Sequence, residues 1–368
     1  MSKKARVAVI TLQAVKNYGS VLQAYATQVV LERLDQDVVI VDYIREFNLD
    51  NKIADKITEN DKGLKKIVKE IVLYPTIIKW KKVFNDFIEK NLNLTKKVYT
   101  YPQDFIENPI EADVFCVGSD QVWNIEWNDG IIGPLYLDFV KDKKKISFSS
   151  SIGMSALGEK SKEVAKLLMD FSNITVRERS GVEMLHAIGV ENVSYCCDPT
   201  LLLDRSFWKD FSKAPKKCPK KYVLLYQLNR NHEFDKMASE IASKLNCELV
   251  RICMRYDQIR LPGKHIIVPE VPEFLGLIEN AELILTDSFH ATAFSINFNK
   301  NFYVVYPNKF NSRIEDLLMN LNLQDRRVAN YDENKGWTIP IEYEFVNKKL
   351  DELRKESVSN LSKALRLT

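Results

Sequence analysis

Short apolar runs rich in valine and isoleucine alternate along the chain with longer segments whose apolar residues recur every three or four positions. Residues 5–12 form the first run, residues 21–34 have the helical spacing, and residues 37–44 form a second run. A strand, a helix and a strand in this order make a βαβ unit, which builds a parallel sheet covered by helices. The alternation resumes after residue 222, so we expect an α/β protein that binds its ligand at the carboxyl ends of parallel strands.

The chain divides into two parts at a stretch rich in lysine and proline. A length of 368 residues is typical of two domains, and the composition of residues 212–221 is typical of a linker. We therefore predict a first domain over residues 1–211 and a second over residues 222–344. A charged C-terminal helix over residues 345–368 is expected to dock back on the first domain.

Residues 50–100 are Lys-rich and have helical spacing, which predicts a helical insertion in the first domain, broken at Pro75. Two interpretations stay open. The segment is either a helix pair with a solvated charged side and an apolar side packed on the domain, or a basic lip that meets a membrane surface or a lipid-linked substrate. The contact residues of the lip would be Lys79, Trp80, Lys81 and Lys82.

Charge and composition narrow the class of protein further. The chain has 53 Lys and Arg against 50 Asp and Glu, a net charge of +3, so we expect no nucleic-acid partner. Its six cysteines include no CxxC pair, which is typical of reduced thiols in a cytoplasmic protein. No apolar stretch reaches the roughly 18 residues that a membrane span needs. We therefore expect a cytoplasmic protein whose membrane contact is at most peripheral.

His290 differs from the other three histidines because it directly follows an apolar strand and begins a helix. Ser288 is a good N-cap residue, so the free N–H groups of the first turn and the positive end of the helix form a site for a phosphate or carboxylate. Asp287 lies three residues before His290 and is expected to orient it for proton transfer. The alternative is a capped helix start with a packed histidine.

The sequence lacks the motifs of several common chemistries. It has no HExxH motif, Cys/His cluster, GxGxxG fingerprint, P-loop or GxSxG elbow, so we expect neither a metal nor a bound cofactor. Two arginines lie near predicted strand ends: Arg177 directly follows residues 174–176, and Arg313 lies in the segment after residues 303–307. Arginine holds planar carboxylates and phosphates through two hydrogen bonds, and Arg177 is the stronger candidate for such a contact.

Small polar residues follow two further strands. Residues 118–121 come after the apolar run that ends at Val117, and residues 149–153 come after the run that ends at Phe148. Hydroxyl and amide side chains suit a site for a polyol, because they both donate and accept hydrogen bonds. Turn geometry selects the same residue types, so both interpretations stay open.

Five ordered motifs, spread over most of the chain, resemble the polysaccharide pyruvyl transferase family. They cover residues 17–26, 113–124, 144–153, 174–204 and 285–305. The resemblance implies two Rossmann-like domains that face each other across a cleft, similar to the GT-B glycosyltransferases. It also implies transfer of the pyruvyl group of phosphoenolpyruvate to two hydroxyls of a sugar, which gives a cyclic ketal and phosphate during synthesis of a surface polysaccharide. The acceptor would be a sugar or a lipid-linked oligosaccharide, and no metal or redox cofactor is required.

The resemblance also implies roles for single residues. His290 matches the family's histidine and would protonate the methylene carbon of phosphoenolpyruvate or deprotonate the attacking hydroxyl, with Asp287 orienting it. Arg177 matches the arginine of the family's V-R-E/D motif and would clamp the phosphate or carboxylate, and Ser288 would complete the anion site. The acceptor side would consist of Asn17, Tyr18, Gly19, Ser119, Asp120, Gln121 and Trp123.

Within that acceptor side, Trp123 would offer a ring face to a sugar, and Gly19 would let the backbone approach closely. The chain resembles the branch of the family with Ser-Phe-His at this point, where other members have an arginine before Leu-His-Ala. Arg313 would supply that charge from the next loop.

Two other functions are compatible with the residues. One is a GT-B-type glycosyltransferase that uses a nucleotide sugar, whose ribose would be held by Glu270 or Glu273. The other is a non-catalytic relative that only binds glycans.

Overall fold

The computed structural model describes residues 4–50, 52–216, 218–307, 309, 311–329 and 336–366. Seven strands lie in the described residues of the first part of the chain. They are β1 (Arg6–Ile10), β2 (Asp37–Tyr43), β3 (Leu94–Tyr99), β4 (Val114–Val117), β5 (Lys144–Ser147), β6 (Ile174–Val176) and β7 (Val193–Tyr195). The first five form a parallel sheet in the order β3-β2-β1-β4-β5, and β6 and β7 form a separate parallel pair.

A second five-stranded sheet repeats the same order. Its strands are β8 (Tyr222–Tyr226), β9 (Glu248–Cys253), β10 (Lys264–Ile267), β11 (Leu283–Thr286) and β12 (Phe302–Val304). They are all parallel and are ordered β10-β9-β8-β11-β12. In each sheet the direction of the strand order reverses beside the strand that comes first in the sequence, β1 or β8. Folds of this kind form their ligand crevice at that point. The predicted pair of Rossmann-like domains is therefore confirmed.

Helices connect the strands in both parts of the chain. Those of the first part are α1 (Tyr18–Arg33), α2 (Ile53–Thr58), α3 (Gly63–Trp80), α4 (Asp86–Asn91), α5 (Pro102–Glu107), α6 (Ser161–Leu168), α7 (Arg179–Ala187), α8 (Pro199–Leu202) and α9 (Arg205–Phe211). Those of the second part are α10 (His232–Lys244), α11 (Val271–Asn280), α12 (Phe289–Asn297), α13 (Ser312–Asn320) and α14 (Tyr343–Leu365). Shorter 3₁₀ turns cover Glu46–Asn48, Gly133–Tyr136, Gly158–Lys160, Tyr256–Arg260 and Gln324–Arg326, and a π-helical turn covers Lys81–Asn85.

One apolar core extends from the first sheet to the second. It contains residues of β1, α1, β8, α11 and α12, most of them fully buried. The ring of Tyr18 stacks on that of Phe274 with centroids 4.2 Å apart, and the Tyr18 hydroxyl donates to the carbonyl of Pro269 at 2.6 Å. These contacts hold the N-terminal end of α1 against α11 of the second part of the chain.

The helical insertion is present, but its predicted break and its predicted end are wrong. α3 runs through Pro75 without interruption. Pro75 has no N–H to donate to the carbonyl of Ile71. Both residues lie on the exposed side of α3, so this carbonyl can be solvated. The insertion ends at Asn91, and the following residues form β3 beside β2.

The C-terminal helix α14 packs on β6, β7 and α8. Its Ser357 side chain accepts a hydrogen bond from the backbone N–H of Cys197 at 2.9 Å, and Asn360 donates to the carbonyl of Tyr195 at 2.9 Å. The boundary predicted at residues 212–221 separates the two sheets along the chain and stays a prediction. Lys217 in that segment lies outside the described residues.

None of the helices, over the residues that the structure covers, combines the length and the apolar character needed to cross a membrane.

Candidate active site

A cavity of about 450 Å³ lies at the carboxyl ends of the central strands of both sheets. Its walls come from the loops and helix starts that follow β1, β4, β8, β11 and β12. The first domain contributes Val15, Asn17, Ser20, Asp120, Gln121 and Trp127. The second contributes Leu228, Asn229, Asp287, Ser288, Phe289, His290, Pro307, Lys309 and Arg313. The cavity joins predicted donor-side and acceptor-side residues in one site.

His290 lies in the first turn of α12 and lines the cavity, although only 6% of it is exposed. Ser288 is the N-cap of this helix, and its hydroxyl oxygen accepts from the N–H of Ala291 at 3.4 Å. The positive end of the α12 dipole therefore faces the cavity, as the residue pattern predicts.

Asp287 does not orient His290. Its Oδ1 accepts from the backbone N–H of Leu228 at 2.7 Å, and its Oδ2 accepts from the backbone N–H of Asn229 at 2.8 Å and from the Asn229 side chain at 3.0 Å. Burial raises the pKa of Asp287, and these hydrogen bonds oppose the rise. Its role in this structure is to hold the loop after β8 against the cavity. The predicted orienting role is corrected because both oxygens are directed to that loop.

Asp198 takes the place predicted for Asp287. Its Oδ2 lies 3.6 Å from Nε2 of His290 and accepts from Nη1 of Arg177 at 2.8 Å. Its Oδ1 accepts from the N–H and the hydroxyl of Thr200. Burial alone would raise the pKa of Asp198, but His290, Arg177 and Thr200 hold it well below its ordinary value. Asp198 is therefore an ionised carboxylate in the protein interior, facing the imidazole.

Arg177 is buried behind the cavity wall and does not reach the cavity. Its side chain is fully inaccessible, and its guanidinium pairs with Asp198, with Glu178 at 3.2 Å and with Asp120 at 3.6 Å. Burial lowers the pKa of Arg177, but these three carboxylates raise it above its ordinary value overall. The predicted clamp on the substrate is corrected, because the charge of Arg177 is already balanced by protein carboxylates.

Arg313 is the arginine that lines the cavity. Arg313 lies in the first turn of α13. Its guanidinium carbon lies 5.9 Å from the ring centroid of Phe289, and the guanidinium carbon of Arg177 lies 4.5 Å from the same centroid. Within the described part of the chain, Arg313 forms no ion pair. Burial and the nearby charge of Arg177 lower the pKa of Arg313 to about 10, so it stays charged at neutral pH. Arg313 is a cation available to a substrate.

Asp120 forms the opposite wall. It adopts φ = +73°, and its carboxylate accepts from the Ser20 hydroxyl at 2.6 Å and from the N–H of Gln121 at 2.9 Å. Burial would raise the pKa of Asp120, but the charge of Arg177 and the other nearby groups lower it overall. An ionised carboxylate and a hydroxyl therefore face the cavity from the first domain.

Gly19 allows a close approach, but the group that approaches it is His290. A Cβ added at this position would lie 2.0 Å from Nδ1 of the imidazole, well inside van der Waals contact. Asn17, the N-cap of α1, accepts from the N–H of Gly19 at 2.8 Å and lines the cavity. The start of α1 thus fixes one face of the His290 ring, and Asp198 faces its Nε2.

Four predicted acceptor residues are not in the cavity wall: Tyr18, Gly19, Ser119 and Trp123. Tyr18 and Trp123 are core side chains, 0% and 1% exposed. The Trp123 ring stacks on Tyr136 with centroids 5.9 Å apart, so it offers no face to a sugar. Ser119 is buried and donates to Oδ2 of Asp198 at 3.2 Å. Gln121 does line the cavity, and its side-chain oxygen accepts from Asn124.

Several site residues escaped the sequence reasoning. Asp198 had a visible signal, because an Asp followed by Pro is a typical helix start after a strand. Ser20 lies on α1 one residue after Gly19 and has no distinguishing pattern of its own. Asn229 enters the site only through its contact with Asp287, which no local pattern reveals.

Three buried nitrogen atoms around Phe289 have no hydrogen-bond partner among the described residues. They are Nη2 of Arg177, Nε2 of His290 and Nε of Arg313. Nη2 of Arg177 lies 3.6 Å from the Asp120 carboxylate and Nε2 of His290 lies 3.6 Å from the Asp198 carboxylate, whereas Arg313 has no ion-pair partner within the described part of the chain. Over the part of the chain that is described, no group of three or more His, Cys, Asp and Glu side chains is arranged to hold a metal ion.

Comparison with known families identifies the class of this protein. A model of the polysaccharide pyruvyl transferase family matches residues 17–309. This range includes every strand of both sheets except β1, and every residue of the cavity wall named above except Val15 and Arg313. The chain belongs to the polysaccharide pyruvyl transferase family. No curated protein matches it significantly.

Solved structures of low sequence identity align over nearly the whole chain. The UDP-GlcNAc 2-epimerase of Methanocaldococcus jannaschii is 15% identical with a TM-score of 0.46, and the alignment covers 95% of this chain and 92% of that one. A co-structure of S. aureus MnaA with UDP is 12% identical with a TM-score of 0.48, covering 97% and 90% of the two chains.

Replacing Gly19 with alanine tests the contact between α1 and the imidazole. We expect Gly19→Ala to displace the His290 ring, because the new methyl group would overlap it, and to shift the imidazole NMR signals of His290 in a folded protein. Gly181→Ala is the matched control: a Cβ there meets its nearest neighbour at 3.5 Å. Unchanged His290 signals in Gly19→Ala would disprove this packing.

The carboxylate of Asp198 predicts a pH-dependent stability. Its pKa in the folded protein is lowered, so its contribution is complete at neutral pH and declines as the pH falls below about 4. We expect Asp198→Asn to reduce the free energy of unfolding at pH 7 by about 3–5 kcal/mol, because Arg177 loses a buried partner, and the deficit to shrink in acid. Urea unfolding from pH 3 to pH 8 measures this.

The control for Asp198→Asn is Asp257→Asn, which breaks the half-exposed pair with Arg255. We expect that change to cost less than about 1 kcal/mol at any pH. Equal losses for the two variants at pH 7 would refute the assignment of Asp198 as a buried charged centre.

Proposed function

We propose that this protein transfers the pyruvyl group of phosphoenolpyruvate to two hydroxyls of a sugar or lipid-linked oligosaccharide, forming a pyruvate ketal and releasing phosphate. The observation that carries the proposal is the guanidinium of Arg313, which forms no ion pair among the described residues, beside His290 and the N-terminus of α12 in one cavity wall. This arrangement suits a small polyanion and a proton transfer at the same place. Family membership supports the same reaction class.

The donor binds on the second-domain side of the cavity. Phosphoenolpyruvate carries a phosphate and a carboxylate, which require a cation and hydrogen-bond donors. Arg313 supplies the unpaired charge, and the N-terminus of α12 behind Ser288 supplies free N–H groups and a positive dipole end. Arg177 acts from behind Phe289, holding Asp198 ionised and in place.

His290 is the proton donor in this mechanism. Gly19 and Asp198 fix its ring, with Nδ1 packed against Gly19 and Nε2 facing the Asp198 carboxylate, and the imidazole lines the cavity. Protonation of the methylene carbon C3 gives C2 the character of a cation, which a sugar hydroxyl attacks. Asp120 and Ser20 face the acceptor side, where the ionised carboxylate accepts a hydrogen bond from the attacking hydroxyl.

The bonds and protons of this reaction balance without a redox cofactor. The first hydroxyl forms a C2–O bond while C3 becomes a methyl group. The second hydroxyl forms another C2–O bond as the C2–O bond to phosphate breaks. Of the two hydroxyl protons, one ends on C3 and the other leaves with phosphate.

A nucleotide-sugar glycosyltransferase finds less support in this cavity. Glu270 and Glu273, the predicted ribose ligands, lie at the start of α11 and are not part of the cavity wall. Glu270 is exposed, and its backbone N–H donates to the Glu273 carboxylate at 3.3 Å.

Removing the side chain of Arg313 tests the donor site. We expect Arg313→Ala to weaken phosphoenolpyruvate binding about 10- to 100-fold in calorimetry, because a charge-assisted hydrogen bond is lost. Arg313→Lys should recover part of the affinity. Arg179→Ala is the control, since that arginine is exposed and pairs with Glu356. Full affinity in Arg313→Ala would remove this residue from the site.

Changing His290 separates catalysis from binding. We expect His290→Gln to bind phosphoenolpyruvate within a few-fold of the unchanged protein and to release phosphate about 10²- to 10⁴-fold more slowly with a panel of oligosaccharide acceptors. His186→Gln, on the exposed side of α7, is the control. Equal turnover in His290→Gln and the unchanged protein would contradict the assigned role. No turnover by either, with binding intact, would favour a non-catalytic glycan-binding relative.

A further inference from the structure

The insertion helix α3 exposes an apolar side to solvent. Seven large apolar side chains on it are between 47% and 76% exposed. They are Leu64, Ile67, Val68, Ile71, Val72, Tyr74 and Ile78. Spacings of three and four residues place them on one side of the helix, and we call this set the apolar stripe.

The opposite side of α3 is already packed. Leu73 and Ile77 are buried and form a small core with Ile53 of α2. The helix therefore does not need the apolar stripe to attach to its own domain. A stripe of fourteen helical steps is about 21 Å long, and soluble surfaces rarely expose so many adjacent large apolar side chains.

Lysines surround the apolar stripe. Residues 61–82 contain seven lysines and two acidic residues, a net charge of +5, whereas the whole chain has a net charge of only +3. Four of these lysines pair with acidic residues: Lys65 and Lys69 with Asp61, Lys66 with Asp55, and Lys81 with Asp50. Within the described part of the chain, Lys62, Lys79 and Lys82 form no ion pair. The charge is therefore available to an anionic partner.

We propose that the apolar stripe and its lysines form a docking surface for an anionic lipid bilayer. An amphipathic helix with a basic border lies in the bilayer interface, with apolar side chains among the acyl chains and lysines at the lipid phosphates. A second copy of this chain is a poorer occupant, because two segments of charge +5 would face each other and repel. The proposal stands independently of the reaction proposed above.

The docking surface ends at the cleft. Trp80, the last residue of α3, donates from Nε1 to the carbonyl of Met254 in the second domain at 2.6 Å. It lines a further cavity of about 450 Å³ that shares Asn17 and Leu228 with the walls of the candidate active site. The Trp80 side chain therefore packs on the second domain and is not part of the apolar stripe. A docked protein keeps this end of the cleft close to the lipid surface.

Vesicle flotation of the full chain tests the proposal. The vesicles contain phosphatidylcholine alone or phosphatidylcholine with phosphatidylglycerol. We expect binding to the anionic vesicles that weakens with added salt. The double variant Ile67→Glu/Ile71→Glu should bind at least about tenfold more weakly, because charges would enter the acyl region. The matched control, Ile106→Glu/Met169→Glu, changes two equally exposed apolar residues elsewhere and should bind normally.

If circular dichroism shows that Ile67→Glu/Ile71→Glu is not folded, a second variant tests the same surface. Lys79→Glu/Lys82→Glu leaves the apolar stripe intact and should reduce binding to anionic vesicles at least about tenfold. The proposal is overturned if the unchanged protein binds neither kind of vesicle, or if the folded α3 variants bind as well as the control. It is also overturned if light scattering shows a dimer that Ile67→Glu/Ile71→Glu dissociates, because the stripe would then belong to a second copy.

Discussion

A single buried carboxylate connects the parts of this site. Asp198 caps α8, accepts from Arg177 at 2.8 Å and faces the imidazole of His290 at 3.6 Å, so it joins the small β6–β7 sheet to the second domain. A buried charge is tolerated only with close partners of opposite charge and satisfied oxygens. That requirement explains why Thr200 and Ser119 also donate to Asp198 and why Arg177 is withdrawn from the cavity.

This constraint explains why Arg177 and Arg313 have different roles. Arg177 balances Asp198, Glu178 and Asp120 in the interior, whereas Arg313 has no such ion pair among the described residues and reaches the cavity. The guanidinium carbons of Arg177 and Arg313 lie 4.5 Å and 5.9 Å from the centroid of the same Phe289 ring. The arginine that faces the cavity is therefore Arg313 and not Arg177.

Most of the fold was predictable because each strand is a short apolar run between helical segments. The runs at residues 37–44 and 283–286 became β2 and β11, and Ser288 caps α12 as its residue type suggests. β3 was missed because its burial is partial and its residues, such as Lys96 and Lys97, are exposed. The predicted helix break at Pro75 was wrong because this proline lies on the exposed side of α3, where the carbonyl that lacks an N–H partner can be solvated.

The site was less predictable than the fold. The cavity wall contains His290, Arg313, Asp120 and Asn17, as predicted. Asp287 was wrongly paired with His290 because the two residues are close in the sequence. The family resemblance wrongly placed Trp123 at the acceptor side. Partners 92 residues apart, such as Asp198 and His290, become visible only when the sheets are packed together. The most direct test is a crystal structure with bound phosphoenolpyruvate. The account predicts the ligand between Arg313 and the start of α12, with C3 beside the imidazole of His290; a ligand held away from both would contradict it.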